Sequence, residues 1–227
     1  MSGTGARPAF YALRPGGWRD YITLLHPPYT VWHLSYVVLG AAIAPRLKWA
    51  LLGWTVLAFF LAMGIGAHAL DELHGRPLRT RIPKATLVAL AVASIAAACA
   101  IGLAVAASTT WWLAIFVACG AFIVVAYNLE LLGGAFHSDL WFASAWGAFP
   151  VLTAYFASAR DLRGEAFAAA LFALLASLAQ RTLSTEVRQA RRQTGDPAAA
   201  RPAERALQLL CGALPALALA LLLVKSG

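Results

Sequence analysis

The chain has 227 residues, of which 61% are hydrophobic and only 12% charged, with a formal net charge of +8 and a mean hydropathy of +0.70. A soluble domain is about half apolar and about a quarter charged, so this composition excludes a water-facing globular surface and makes a bilayer the natural solvent. Cys99, Cys119 and Cys211 are odd in number, lack CxxC spacing and sit in apolar runs, which reads as core or lipid-facing thiols rather than disulfides or metal ligands.

Residues 1–20 carry Arg7, Arg14, Arg19, Pro8, Pro15 and the Gly16-Gly17 pair with no apolar run. They are expected to form a polar cytoplasmic tail and not a signal peptide, with residues 21–227 as a single transmembrane domain. Seven apolar stretches follow, about 29–45, 49–72, 84–107, 110–128, 138–158, 164–187 and 205–224. Each is long enough for a helix and too long for a membrane strand. Only helices and closed barrels satisfy their backbone groups in lipid, so the expected fold is an all-α polytopic bundle of about seven transmembrane helices. Trp49, Trp54, Trp111, Trp112 and Trp141 fall near proposed span ends, where indoles favour the interface.

Placing the amino terminus inside puts thirteen of the eighteen Lys and Arg residues on the cytoplasmic side, as the positive-inside rule requires. The charge therefore reports topology in a plasma-membrane protein and does not point to nucleic acid. With that orientation all five histidines, and all the acids except Asp161 and Glu165, collect at or near cytoplasmic helix ends.

The second stretch ends in Gly64-Ile-Gly66-Ala-His68-Ala-Leu-Asp71-Glu72-Leu-His74-Gly75-Arg76-Pro77-Leu78. On a helix His68, Asp71 and Glu72 fall within an arc of about 100°, while His74 points elsewhere. One face then offers an imidazole and two carboxylates at a membrane-helix end, where ionisable groups are costly and a functional role is the default reading. Arg76, Arg79, Arg81 and Lys84 follow. They serve either as a topology signal touching anionic lipid or, through Arg76, as a bidentate phosphate contact. The fourth stretch ends in Tyr127-Asn128-Leu129-Glu130, and the fifth opens through Gly133, Gly134, His137, Ser138 and Asp139. Ser138 or Asp139 is a good helix cap, which leaves His137 and Glu130 without a capping role. The sixth runs into Gln180-Arg181-Thr182-Leu-Ser184-Thr185-Glu186-Val-Arg188, either a surface ion-pair network or a second acid-and-base helix end facing the first.

Together these residues resemble the UbiA-type intramembrane prenyltransferases over about residues 20–192. Asp20-Tyr21 through His26-Pro27-Pro28 to Leu39-Gly40 is similar to the family's first helix. Asp71 followed by Arg76-Pro77-Leu78 is similar to its NDxxDxxxD segment and the RPL after it, and Tyr127-Asn128 and Gly147-Ala148-Phe149-Pro150 match later features. Ala67, His68 and Gly75 stand where the family has Asn, Asp and Asp; Glu186 alone represents its second acidic motif, and Leu131 stands where a Lys follows the tyrosine.

The resemblance implies a bundle whose central cavity opens to the cytoplasm and to lipid, and which transfers an isoprenyl group from a prenyl diphosphate to an aromatic or lipid-soluble acceptor. It implies a divalent metal, Mg²⁺ foremost, on Asp71 and Glu72, with His68 and Glu186 as further ligands. It also makes His68, Asp71, Glu72 and Tyr127 catalytic, and Arg76, Asn128, His137, Asp139 and Arg188 substrate contacts. Mg²⁺ needs only one or two protein carboxylates beside water and phosphate oxygens. Two alternatives stay open. His68, Asp71, Glu72, His137 and Asp139 would suit Zn²⁺, Fe or Mn²⁺ in different lipid chemistry, or the chain binds an isoprenoid or a partner, a second copy included, without catalysis.

Overall fold

In the computed structural model, which describes residues 8–193 and 197–227, every apolar stretch marked in the sequence is helical. Arg7 and Asp196, placed above on the cytoplasmic side, lie outside the described residues. The elements run α1 (Trp18–Leu24), α2 (Pro27–Ile43), α3 (Trp49–Leu73), α4 (Lys84–Ser108), α5 (Leu113–Asn128), a single turn α6 (Leu131–Gly134), α7 (Asp139–Ala159), α8 (Gly164–Gln193) and α9 (Pro197–Ser226). Among the described residues the chain is all-α.

Helices α3, α4, α7, α8 and α9 are long and apolar enough to cross a membrane. The expected seven spans are thus met by five on length. Helices α2 and α5 have 17 and 16 residues, roughly 26 and 24 Å at 1.5 Å per residue, against a hydrocarbon core of about 30 Å. Helix α4 is apolar all round, and Val88, Val92 and Leu103 are exposed on it, as on a helix facing lipid.

Helix α2 is the centre of the bundle. Its Trp32, Tyr36 and Leu39 pack with Val151 of α7, Ala170 and Ala173 of α8, and Leu214 of α9. Small residues allow the close approaches that drive helix association in lipid: Gly40 lies directly against the Val151 carbonyl, and a Cβ on Gly147 would stand 2.6 Å from the carbonyl oxygen of Ala173. The polar atoms at this centre pair with one another. Trp32 Nε1–H donates to the Tyr36 hydroxyl at 2.6 Å, and Ser177 Oγ donates to it at 3.2 Å.

Two helices depart from α geometry at neighbouring places. Residues Phe60–Ala67 of α3 and Ser144–Ala148 of α7 are wound as π-helix, a distortion that recurs at functional sites because it re-aims side chains and frees carbonyls. In each helix one carbonyl loses its α-helical donor, in α3 at the π-turn and in α7 at a proline. The His68 N–H turns back to the Ile65 carbonyl, leaving the Gly64 carbonyl without its α-helical donor. In α7, Pro150 has no N–H to offer the carbonyl four residues earlier, that of Trp146.

Two buried carboxylates then organise the connections at one end of the bundle. Glu72 accepts from the Leu78 and Thr80 amides at 3.0 and 2.8 Å and from the Thr80 hydroxyl at 2.8 Å. Asp20 accepts from the Arg81 and Gly16 amides, each at 2.9 Å. From residue 8 onward the expected tail is packed on this end: Ala12 is buried, and the Leu13 amide donates to Thr23 Oγ1 at 3.0 Å.

Candidate functional site

At the end of the bundle organised by Asp20 and Glu72, a polar cavity of about 430 Å³ is lined from α2, α3, α5, α7, α8, α9 and the 8–11 segment. An apolar crevice of about 100 Å³ runs between α3, α4, α5 and α7, walled by residues such as Ala62, Ile95, Val117 and Phe149. Met63 and Trp146 belong to both, and both lie in the π-wound stretches, so the local unwinding of α3 and α7 is where the polar and apolar spaces join.

The cavity wall holds four of the five histidines: His26, His33, His68 and His137. Three have one ring nitrogen committed to a backbone carbonyl. His68 Nδ1–H donates to the Gly64 oxygen at 3.1 Å and His33 Nδ1–H to the Trp146 oxygen at 2.9 Å, the two carbonyls left without an α-helical donor in α3 and α7. His137 Nδ1–H donates to the Tyr127 oxygen at 3.2 Å, and its ring stacks on that of Tyr127 at 4.5 Å. A carbonyl can only accept, so Nδ1 carries the proton, and in the neutral ring Nε2 keeps a lone pair.

His26, at the left-handed junction between α1 and α2 (φ 45), stacks on His68 with ring centroids 4.1 Å apart. Its Nδ1 accepts from the Tyr11 hydroxyl at 2.6 Å, and its Nε2 is buried without a partner. Burial, with His68 and His33 alongside, holds His26 well below the ordinary imidazole range. Burial likewise raises the Tyr11 phenol, so both partners are held uncharged.

Of the residues singled out in the sequence, His68, Asp71, Tyr127, Asn128, His137 and Arg188 come together on this wall. Four do not. Glu72 is fully buried with its carboxylate spent on Leu78 and Thr80. Arg76 turns its guanidinium to the Thr80 and Ile82 carbonyls at 3.0 and 2.8 Å. Asp139 is exposed in an ion pair with Arg181 at 2.8 Å, and Glu186 is exposed on α8 away from the lining. The expected metal set of His68, Asp71, Glu72 and Glu186 therefore does not assemble. Among the described residues no three His, Cys, Asp or Glu side chains form a group able to hold a metal ion. Of the predicted ligands only His68 and Asp71 share the cavity wall, so the described side chains supply no preassembled centre of three or more protein ligands.

The cavity is also lined by residues outside the predicted site set: Tyr11, Tyr29, His26, His33, Arg181 and Glu204. A signal existed for two of them. His26 and His33 are among the histidines gathered near predicted helix ends, although His26 lies in the left-handed junction outside α2. Tyr11 carried none, since its position depends on the amino-terminal segment folding back.

No protein family model, no curated protein and no solved structure matches this chain.

Proposed function

We propose that the chain is a UbiA-like intramembrane prenyltransferase, moving an isoprenyl group from a prenyl diphosphate to a lipid-soluble acceptor. The observation that carries this reading is the junction at Met63 and Trp146, where the apolar crevice between α3, α4, α5 and α7 meets the histidine-lined cavity. A ligand with a hydrocarbon chain and a polar head has a place for each. The positive-inside bias of the sequence supports a cavity that faces the cytoplasm.

In the reaction the C1–O bond of the allylic diphosphate breaks and its electron pair leaves with the diphosphate. Arg181 and Arg188 are the cations lining the cavity, and guanidinium groups suit a departing phosphate. Asp71 is the one carboxylate of the predicted set on the wall and offers a negative charge to the developing allylic cation. The acceptor forms the new bond to C1, and the proton it gives up passes to the His68 Nε2 lone pair. No step is assigned to a metal, because the ligand set does not assemble.

The commitment of Glu72 and Arg76 to the loop favours a second reading, an isoprenoid-binding protein that no longer transfers. Purified full-length protein given labelled prenyl diphosphate and a membrane lipid extract, with and without added Mg²⁺, decides between them. A labelled apolar product lost in Asp71→Asn supports transfer; absence of product with an isoprenoid still bound supports the second reading.

A further inference from the structure

Imidazole groups at the inner end of the cavity have their hydrogen-bonding directions fixed by the backbone. His33 and His68 spend their Nδ1 protons on the Trp146 and Gly64 carbonyls, so each neutral ring presents a bare acceptor at Nε2. The stacked His26 is pinned by Tyr11: its Nδ1 accepts, so its buried and unpartnered Nε2 carries the ring proton. No arginine stands in this trio. Arg181 is engaged by the exposed Asp139, and Arg188 is exposed near Thr185, so both cations belong to the outer rim. Two imidazolium charges 4.1 Å apart in a stack would also repel strongly outside bulk water. The inner end is thus uncharged, with the Nε2 atoms of His33 and His68 as its acceptors. Through Trp146, whose carbonyl holds His33, it adjoins the apolar crevice.

We infer that His33 and His68 form a subsite for an uncharged hydroxyl head, a long-chain alcohol or phenol whose O–H donates to one of their two Nε2 acceptors while its chain lies in the crevice. An anionic oxygen there would face two lone pairs with no cation to offset it, so a diphosphate is confined to the arginine rim. The inference rests on the transfer reading only in naming this alcohol as the acceptor; the subsite itself is a matter of binding. Tyr11 is a positioning residue: its hydroxyl orients His26, and the His26 ring in turn backs His68.

The test compares three probes on the full-length protein in detergent: farnesol, farnesyl methyl ether, which keeps the chain and oxygen but cannot donate, and farnesyl diphosphate. Farnesol is expected to bind about tenfold more tightly than the ether, the effect of one buried hydrogen bond lost. His33→Phe and His68→Phe are expected to remove that preference while leaving affinity for the ether unchanged. Diphosphate binding is expected to fall in Arg181→Gln with Arg188→Gln and not in His33→Phe. The wild-type comparison alone decides if a variant does not fold. Equal affinity for alcohol and ether overturns the subsite, even where prenyl transfer is observed. Preference for the alcohol without any transfer supports the subsite and removes the transfer reading. Failure of all three probes to bind overturns both.

Discussion

His26 and His68 lie face to face with ring centroids 4.1 Å apart, one from the junction before α2 and the other from the end of α3. Neither has a carboxylate hydrogen-bonded to it. His26 takes its hydrogen bond from Tyr11 and His68 gives one to the backbone of its own helix. This contact ties the amino-terminal segment to the distorted end of a membrane helix and makes uncharged imidazole the chemical character of the cavity's inner wall.

A pH dependence of stability follows from His26. Its pKa is lowered by burial in the folded chain, whereas an unfolded histidine titrates near about 6.5. The unfolded state binds the proton more readily, so the stability this residue provides is complete above about pH 6.5 and is lost as the pH falls below it. Thermal unfolding in detergent at pH 8 and pH 5 should show a lower Tm at pH 5, with the difference reduced in His26→Gln.

Neighbouring carboxylates at the end of α3 should behave differently. Glu72→Ala leaves the Leu78 and Thr80 amides without their acceptor and should cost about 3 kcal/mol, read as a large fall in Tm. Asp71→Asn should lose transfer with a much smaller change in Tm. Equal loss of stability in the two would contradict the division between a loop-building and a cavity-facing acid.

Backbone contacts across α2, α7 and α8 make two glycines intolerant of a methyl group. A Cβ on Gly147 would meet the Ala173 carbonyl oxygen at 2.6 Å, and one on Gly40 would collide with the Val151 carbonyl. Each glycine-to-alanine change should destabilise by about 1–3 kcal/mol through overpacking, measured as a fall in Tm. Gly53→Ala, where a Cβ meets nothing within 4 Å, is the control and should leave Tm unchanged.

Helices were legible in the sequence because a membrane span announces itself by a long apolar run, and all seven marked stretches are helical. The gathering of polar groups was legible too, since few ionisable residues interrupt those runs and most sit at their ends. The assignment of individual side chains was not. Regular helical spacing places Asp71 and Glu72 on one face, yet Glu72 is claimed by the turn that follows, a contact set by the path of residues 74–80. The π-wound segments in α3 and α7 left no periodic signature in uniformly apolar sequence, and the one in α3 determines that the Gly64 carbonyl is free for His68, whereas the carbonyl His33 uses is free because of Pro150. Arg76 resembled a phosphate contact by motif but is used by its own loop.

Photolabelling tests the central claim, that the crevice holds an isoprenoid chain whose head lies in the histidine-lined cavity, most directly. A farnesol analogue with a diazirine at its hydrocarbon end should, on irradiation of the full-length protein in lipid nanodiscs, form adducts mapped by mass spectrometry to crevice residues such as Ile95, Val117 and Ala121, and excess farnesol should suppress them. Adducts confined to outward-facing residues such as Val92, Leu175 and Leu219, unchanged by excess farnesol, would contradict the account.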